Sequence, residues 1–316
     1  MPIVFQVHYK DGSFDEVTKW IEDEEHFITV PNKSMKKVDY ALFDPGSKVL
    51  KKINFIKSYK TLLLQAKNAK HFIDRYDAID GLNEFGDSKK RDDLIEFYLE
   101  EDFRSIKQNI LIQLKDDLHP KTEQLYVYAI AEKDTKVRRT AIDNLQINSK
   151  RYIKFYEEML NDKSYINAEK ALIKLCKIFP LKQEEYLNRT RHLSKEKNSF
   201  RITWLKLSYG KNKQLYTELV DFTSESFDFR TRIKALNVLG GIEYYDNNYM
   251  MNVINASLSF NRRLKSPALK QLRNFLENKE TGVLTASYIQ NHKWLPYQKE
   301  KLDKLLIEYG KMRYKK

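Results

Sequence analysis

Six histidines are scattered along the 316 residues, at positions 8, 26, 71, 119, 192 and 292, and the closest two are 18 apart. A zinc site of the peptidase kind needs two histidines one helical turn apart with a glutamate between them. No pair here has that spacing. Cys176 is the only cysteine, so neither an intrachain disulfide nor a Cys pair for a metal can form. It lies in ALIKLCKIF, an apolar helical pattern, and reads as a buried thiol. The chain has no Gly-x-Gly-x-x-Gly and no Gly-Lys-Ser/Thr loop to cradle a phosphate. Asp92-Asp93 and Asp116-Asp117 sit near expected helix ends, where capping and solvation account for paired acids. Asn32-Lys-Ser34, Asn188-Arg-Thr190 and Asn255-Ala-Ser257 match the glycosylation triplet, which is frequent by chance, and the last falls in a helical pattern. The expectation is no catalytic residue, no metal ligand and no cofactor in this chain.

What remains for chemistry is positive charge. The net charge is +13. Residues 1–57 carry 9 lysines against 9 acids, whereas residues 259–316 carry 14 Lys and Arg against 5 acids. Such a basic block can attract nucleic acid, an anionic membrane or an acidic peptide, or simply be solvated. Two arginine pairs stand out, Arg138-Arg139 and Arg262-Arg263, each near the start of a helix. One arginine of each pair is expected to bond a neighbouring acid. The other is a candidate to contact an anionic group of a substrate. Aromatic residues make up 13% of the chain, including 20 tyrosines, and at helical spacing these read as packing residues. The alternative is a stacking platform interleaved with cations.

Two kinds of element must position these groups. Residues 1–57 alternate as strands do. IVFQVHY places Ile3, Phe5, Val7 and Tyr9 on one face, the Asp-Gly turn at Asp11-Gly12 follows, and SFDEVTKWI returns. HFITV (26–30), VDYALF (38–43) and KVLKKINFI (48–56) complete five expected strands, with a strong turn at Asp44-Pro45-Gly46. This suggests a small antiparallel β-sandwich-like module, or part of one. From residue 58 to 316 glycine and proline become rare and the apolar period becomes helical.

The helical part repeats. A small or apolar residue recurs with Leu four places later, and often a basic residue three places before: Arg75/Ala78/Leu82, Lys107/Ile110/Leu114, Arg138/Ala141/Leu145, Ala168/Ala171/Leu175, Arg201/Trp204/Ser208, Arg232/Ala235/Leu239 and Lys265/Ala268/Leu272. The central residues are 32, 31, 30, 33, 31 and 33 apart. Each period holds two helices, with DLIEFYL, LYVYAIA, YIKFYEEML, QLYTELVDF and MMNVINASL as examples of the first. Alanine at the centre lets stacked helix pairs approach closely, and Leu one turn on fills the same face. Asp134, Asp162 and Asp228 are placed to cap second helices. A single pair cannot bury its apolar face, so the pairs must stack into an array of about seven to eight. The expected fold is mainly α, an α-α superhelix preceded by the β module.

The pattern Asp…Arg-x-x-Ala-x-x-x-Leu resembles HEAT repeats, with Asp134 to Ala141 the best copy. A more specific resemblance spans the β-to-α junction. Phe43-Asp44-Pro45, Val49-Leu50-Lys51, the helix Leu62 to Ala69 with Gln65, and Arg75-x-x-Ala78 follow the order seen where aminopeptidase-N-like zinc peptidases pass from a β-sandwich to their C-terminal helical domain. Ala66 departs from that pattern, which usually has Leu there. The resemblance implies a non-catalytic C-terminal portion that bounds the substrate chamber, with zinc held by a catalytic domain absent from this chain. It implies as partners the catalytic domain of the same polypeptide and peptide substrates. Nucleic acid is not the expected partner, because the junction motif is more specific than the charge count. The other readings are a free-standing repeat scaffold that binds proteins, and a basic solenoid that binds nucleic acid. No apolar run approaches the ~20 residues of a membrane span, and no signal peptide is visible ahead of the first strand pattern.

Overall fold

A computed structural model describes residues 1–145, 150–208 and 214–310. The chain is mainly helical, with a three-stranded antiparallel sheet at its N-terminus. It divides into two compact units, Met1–Lys170 and Ala171–Lys316.

The sheet holds β1 (Pro2–Tyr9), β2 (Phe14–Trp20) and β3 (Val38–Phe43) in the order β2-β1-β3, with Phe5 opposite both Val17 and Phe43. Three of the five expected strands therefore form. HFITV and KVLKKINFI do not, which corrects the β-sandwich expectation to a single sheet. Alternating apolar residues make a strand only where a backbone edge receives them. Around HFITV, Asn32 instead closes a local loop, its side chain bonding Lys36 N–H at 2.8 Å and Lys36 C=O at 2.7 Å. After the Asp44 turn the chain is held by side chains: Lys51 Nζ reaches Asp44 at 2.6 Å, and Lys57 Nζ reaches the Ala41 carbonyl of β3 at 2.8 Å.

The helices of the first unit are α1 (Tyr59–Asn68), α2 (Phe72–Gly81), α3 (Asp87–Glu100), α4 (Arg104–Gln113), α5 (Pro120–Ile130), α6 (Thr135–Asn144) and α7 (Lys150–Met159). The helix α8 (Tyr165–Ile178) follows and runs across the division between units. The second unit continues with α9 (Gln183–Arg189), α10 (Arg191–Glu196), α11 (Asn198–Leu207), α12 (Gln214–Asp221), α13 (Phe229–Gly241), α14 (Asn247–Ser257), α15 (Arg262–Glu277), α16 (Lys279–Asn291) and α17 (Pro296–Glu308). No strand follows residue 70 among the described residues.

The repeat register holds. Ala78, Ala141, Ala171, Ala235 and Ala268 are all fully buried, as is Ile110, and each lies in the second helix of its pair. Leu82, Leu114, Leu145, Leu175, Leu239 and Leu272 are buried with them. In the degenerate copy Ser208 is buried too, its hydroxyl bonding the Trp204 carbonyl at 2.9 Å. Tyrosines of first helices bind back to second helices: Tyr156 Oη donates to Ile142 O at 3.0 Å and Leu145 O at 2.8 Å, Tyr249 Oη to Leu236 O at 3.2 Å, and Tyr126 Oη to Leu111 O. These rings are core, as expected, and their hydroxyls occupy backbone acceptors that burial would otherwise leave unmatched. Asp134 and Asp228 cap α6 and α13 by accepting from two backbone N–H groups each. Asp162 accepts the Ser164 N–H at 2.7 Å and serves mainly as an ion-pair partner.

Candidate functional site

The basic residue three places before each central position does a repeated job in the first unit. Arg138 forms a two-pronged pair with Asp162 at 2.6 and 2.9 Å, and donates to the carbonyls of Glu132 and Lys133 at 2.8 and 2.9 Å. Arg75 repeats this with Glu101 at 3.0 and 3.2 Å and with the carbonyls of Ala69 and Lys70. Lys107 pairs with Glu132 at 2.7 Å. Each cation thus engages an acid 24–26 residues ahead, and the two arginines also clasp the turn before their own helix. The Arg138 hydrogen bonds hold the Asp162 carboxyl below the ordinary range against the desolvation that would raise it. Arg139 donates to Asn167 Oδ1 at 3.1 Å and Ser164 Oγ at 3.4 Å. Both arginines of this pair are therefore engaged inside the protein.

The second pair differs. Arg262 and Arg263 open α15 behind the Asn261 cap and are exposed, with no ion pair to either among the described residues. Arg262, Lys265, Lys270 and Arg273 line one groove along α15, a space of about 750 Å³, together with Ser266, Leu269 and Asn274. Glu277 and Tyr309 bound it. Arg263 lies outside it. The sequence contained a signal for Lys265, Lys270 and Arg273 that the arginine pairs obscured. Residues 24–26 places after Lys265 are Ile289, Gln290 and Asn291, none of them acidic. The same holds after Arg232, where Ala256, Ser257 and Leu258 stand. Arg232 turns back to the Thr223 carbonyl at 3.0 Å, and one of its buried amino groups has no hydrogen-bond partner.

A second space, about 780 Å³ and open to solvent, lies over α2 and α4 in the first unit. Tyr76, Asp80, Asn83, Gln108 and Gln113 line it with Asp116. Its polar groups are bonded to one another: Asn109 donates to Asp80 at 2.8 Å, and Gln113 to Asn109 at 2.7 Å. The paired acids resolve into structural roles: Asp117 binds Arg91 at 2.5 and 2.8 Å, and Asp92 binds Lys121 at 3.0 Å. Burial pushes the Cys176 thiol up to about 11. Among the described residues no cluster of three or more His, Cys, Asp or Glu side chains could hold a metal ion.

The junction residues converge. Asp44, in the left-handed region at φ 53°, accepts from the Val49 N–H at 2.9 Å and from Lys51. The next turn residue in that region, Gly46 at φ 76°, leaves its N–H on the Asp74 carboxylate of α2 at 3.0 Å, and a side chain there would meet the His71 ring. Gln65 of α1 donates to the Asp74 carbonyl at 2.7 Å and accepts from Lys57 at 2.5 Å. Burial lowers the Lys57 amine to about 8 and raises the Asp74 carboxyl. The turn, the chain after it and the first two helices are thus one buried polar knot.

Several large apolar side chains within residues 1–57 are exposed. Trp20 is 58% exposed and Phe27 94%, whereas Phe5 is half-buried against Phe43 at 5.0 Å. Leu50 and Ile56, in the segment that forms no strand, are exposed as well. No protein-family model matches this chain, and no curated protein is significantly similar to it.

Proposed function

We propose that the chain is the non-catalytic C-terminal region of a zinc aminopeptidase, in which the helix pairs bound the substrate chamber of a catalytic domain on the same polypeptide. The observation that carries this reading is the number of large apolar side chains left exposed in residues 1–57. Phe14, Trp20, Phe27, Leu50, Ile53, Phe55 and Ile56 are all exposed within the first 57 residues. Seven large apolar side chains in so short a stretch suit a surface that another domain covers. The two segments with strand-like alternation but no strand partner suit it too, because a neighbouring sheet could supply the missing edge. The knot around Asp44, Gln65 and Asp74 adds support: residues of the junction motif are those that fix the sheet to the helices.

In this reading the parent's chemistry is metal-assisted hydrolysis of an N-terminal peptide bond. Zinc and its ligands belong to the catalytic domain, and this chain supplies walls and charge. The test is to express the complete reading frame that contains residues 1–316 and assay aminoacyl chromogenic substrates with and without a chelator. Chelator-sensitive hydrolysis by the longer protein, absent from 1–316 alone, is expected. A frame that encodes only these residues, or a longer one without metal-dependent hydrolysis, overturns the reading.

A further inference from the structure

We propose that the groove along α15 is a docking surface for single-stranded nucleic acid, its cations meeting phosphates and Phe260 with Tyr297 offering ring faces to bases. The proposal is independent of the peptidase reading.

The first observation is linear, unpaired charge. Arg262, Lys265, Lys270 and Arg273 fall on one face of α15, at intervals of 3, 5 and 3 residues. With a rise of about 1.5 Å per residue, they span roughly 16 Å. None makes an ion pair among the described residues. The only acid in the lining is Glu277, at the far end. In the first unit Arg75, Lys107 and Arg138, at the register position of Lys265, are each held by an acid.

The second observation is aromatic. Phe260, two residues before α15, is 89% exposed, and its ring lies 6.4 Å from that of Tyr297 at the start of α17. Lys301 lies 5.4 Å from the centre of the Tyr297 ring. Tyr309, just past the end of α17, lines the groove together with Glu277 at the end of α15. The aromatic pair thus lies next to the Arg262 end of α15 through Phe260, two residues before it, and Tyr309 lines the groove itself.

These two features favour one partner class. A discrete carboxylate is best recognised by a guanidinium that its neighbours fix in place, as Arg138 is fixed. Arg262, Lys270 and Arg273 are exposed and unfixed. Flexible cations in a row suit a flexible polyanion whose charges need no set register, with affinity coming from released counterions. The exposed ring pair favours bases over acidic side chains, since every base has a face to stack. It favours an open strand over a duplex, whose bases are already stacked.

The test uses the full chain and a labelled oligothymidylate about 12 nucleotides long, within the usual reach of a single-strand site, titrated by anisotropy at several salt concentrations. Binding that weakens as salt rises is expected. The Arg262→Glu/Arg273→Glu double variant should bind at least about tenfold more weakly at low salt and show a flatter salt dependence, by about 0.7 in log–log slope for each phosphate that is no longer neutralised. Phe260→Ala should weaken binding by about fivefold or more without changing that slope. Lys133→Glu, a charge reversal in the first unit, should leave binding unchanged. Lys270→Glu and Tyr297→Ala serve as second variants, and unchanged melting of each shows that the fold is intact. Four results overturn the proposal: no binding by the unaltered chain at low salt; equal losses from Lys133→Glu and the α15 reversals; a duplex of equal length binding as tightly; or polyglutamate competing as well as the oligonucleotide while Phe260→Ala has no effect, which would assign the groove to acidic polypeptides.

Discussion

The second helices α2 and α15 present the same register positions to solvent with opposite chemistry. At two before, two after and five after the central alanine, α2 and the turn that follows it carry Tyr76, Asp80 and Asn83, while α15 carries Ser266, Lys270 and Arg273. Three before it, Arg75 of α2 is locked to Glu101, whereas Lys265 of α15 has no ion pair among the described residues. Both helices bury the same alanine and leucine, so packing does not distinguish them. What separates them is whether the next repeat supplies an acid 24–26 residues on. Where it does, the cation joins adjacent repeats. Where it does not, the cation turns to a backbone carbonyl, as Arg232 does, or is left for solvent or a ligand, as Lys265 is. A repeat architecture can thus turn a structural position into a binding position by losing one carboxylate.

Mutation of the paired position should have the largest effect. Arg138→Ala leaves the buried Asp162 carboxylate without its main partner and should destabilise by about 3 kcal/mol in denaturant unfolding. An equal cost for Arg273→Ala would erase the contrast between the two helices.

Acid should reveal the same asymmetry. The Arg91 hydrogen bonds lower Asp117 to about 2, so its contribution to stability is present above the ordinary carboxylate range and is lost as pH falls from about 4 toward 2. That contribution is about 2 kcal/mol. Hydrogen exchange as a function of pH should show the α3–α4 region of the first unit loosening in this window, and Arg91→Gln should remove the effect.

A smaller change is expected at the tyrosine latch. Tyr156→Phe keeps the ring and removes bonds to Ile142 and Leu145, at a cost of about 1 kcal/mol. Calorimetry that shows no change would assign the recurring geometry of these hydroxyls to packing alone.

The smallest effect on stability belongs to α15. Arg262→Gln/Arg273→Gln should alter unfolding by no more than about 0.5 kcal/mol, because neither side chain has an ion-pair partner among the described residues. Slight stabilisation at low salt, from reduced like-charge repulsion, would sharpen the contrast with Arg138.

Local sequence is enough to read the repeat register, the burial of Ala78, Ala141, Ala171, Ala235 and Ala268, and the strand pattern of residues 2–9, 14–20 and 38–43. Each of these follows from periodicity, which sets the face a side chain occupies before any long-range packing forms. Charge density at the C-terminal end was equally legible. Which charges are free depends instead on what packs beside them. Arg139 reads like Arg262 in sequence, yet Asn167 and Ser164 occupy it while Arg262 lines an open groove. Packing also rules out strands at 26–30 and 48–56, since alternation specifies a face but a strand needs an edge to receive it. The knot of Asp44, Lys57, Gln65 and Asp74 lay beyond local reading too. Its members are up to 30 residues apart in sequence, and only folding brings the Gly46 N–H onto the Asp74 carboxylate, because a buried polar group must find whatever partner the packed chain places beside it.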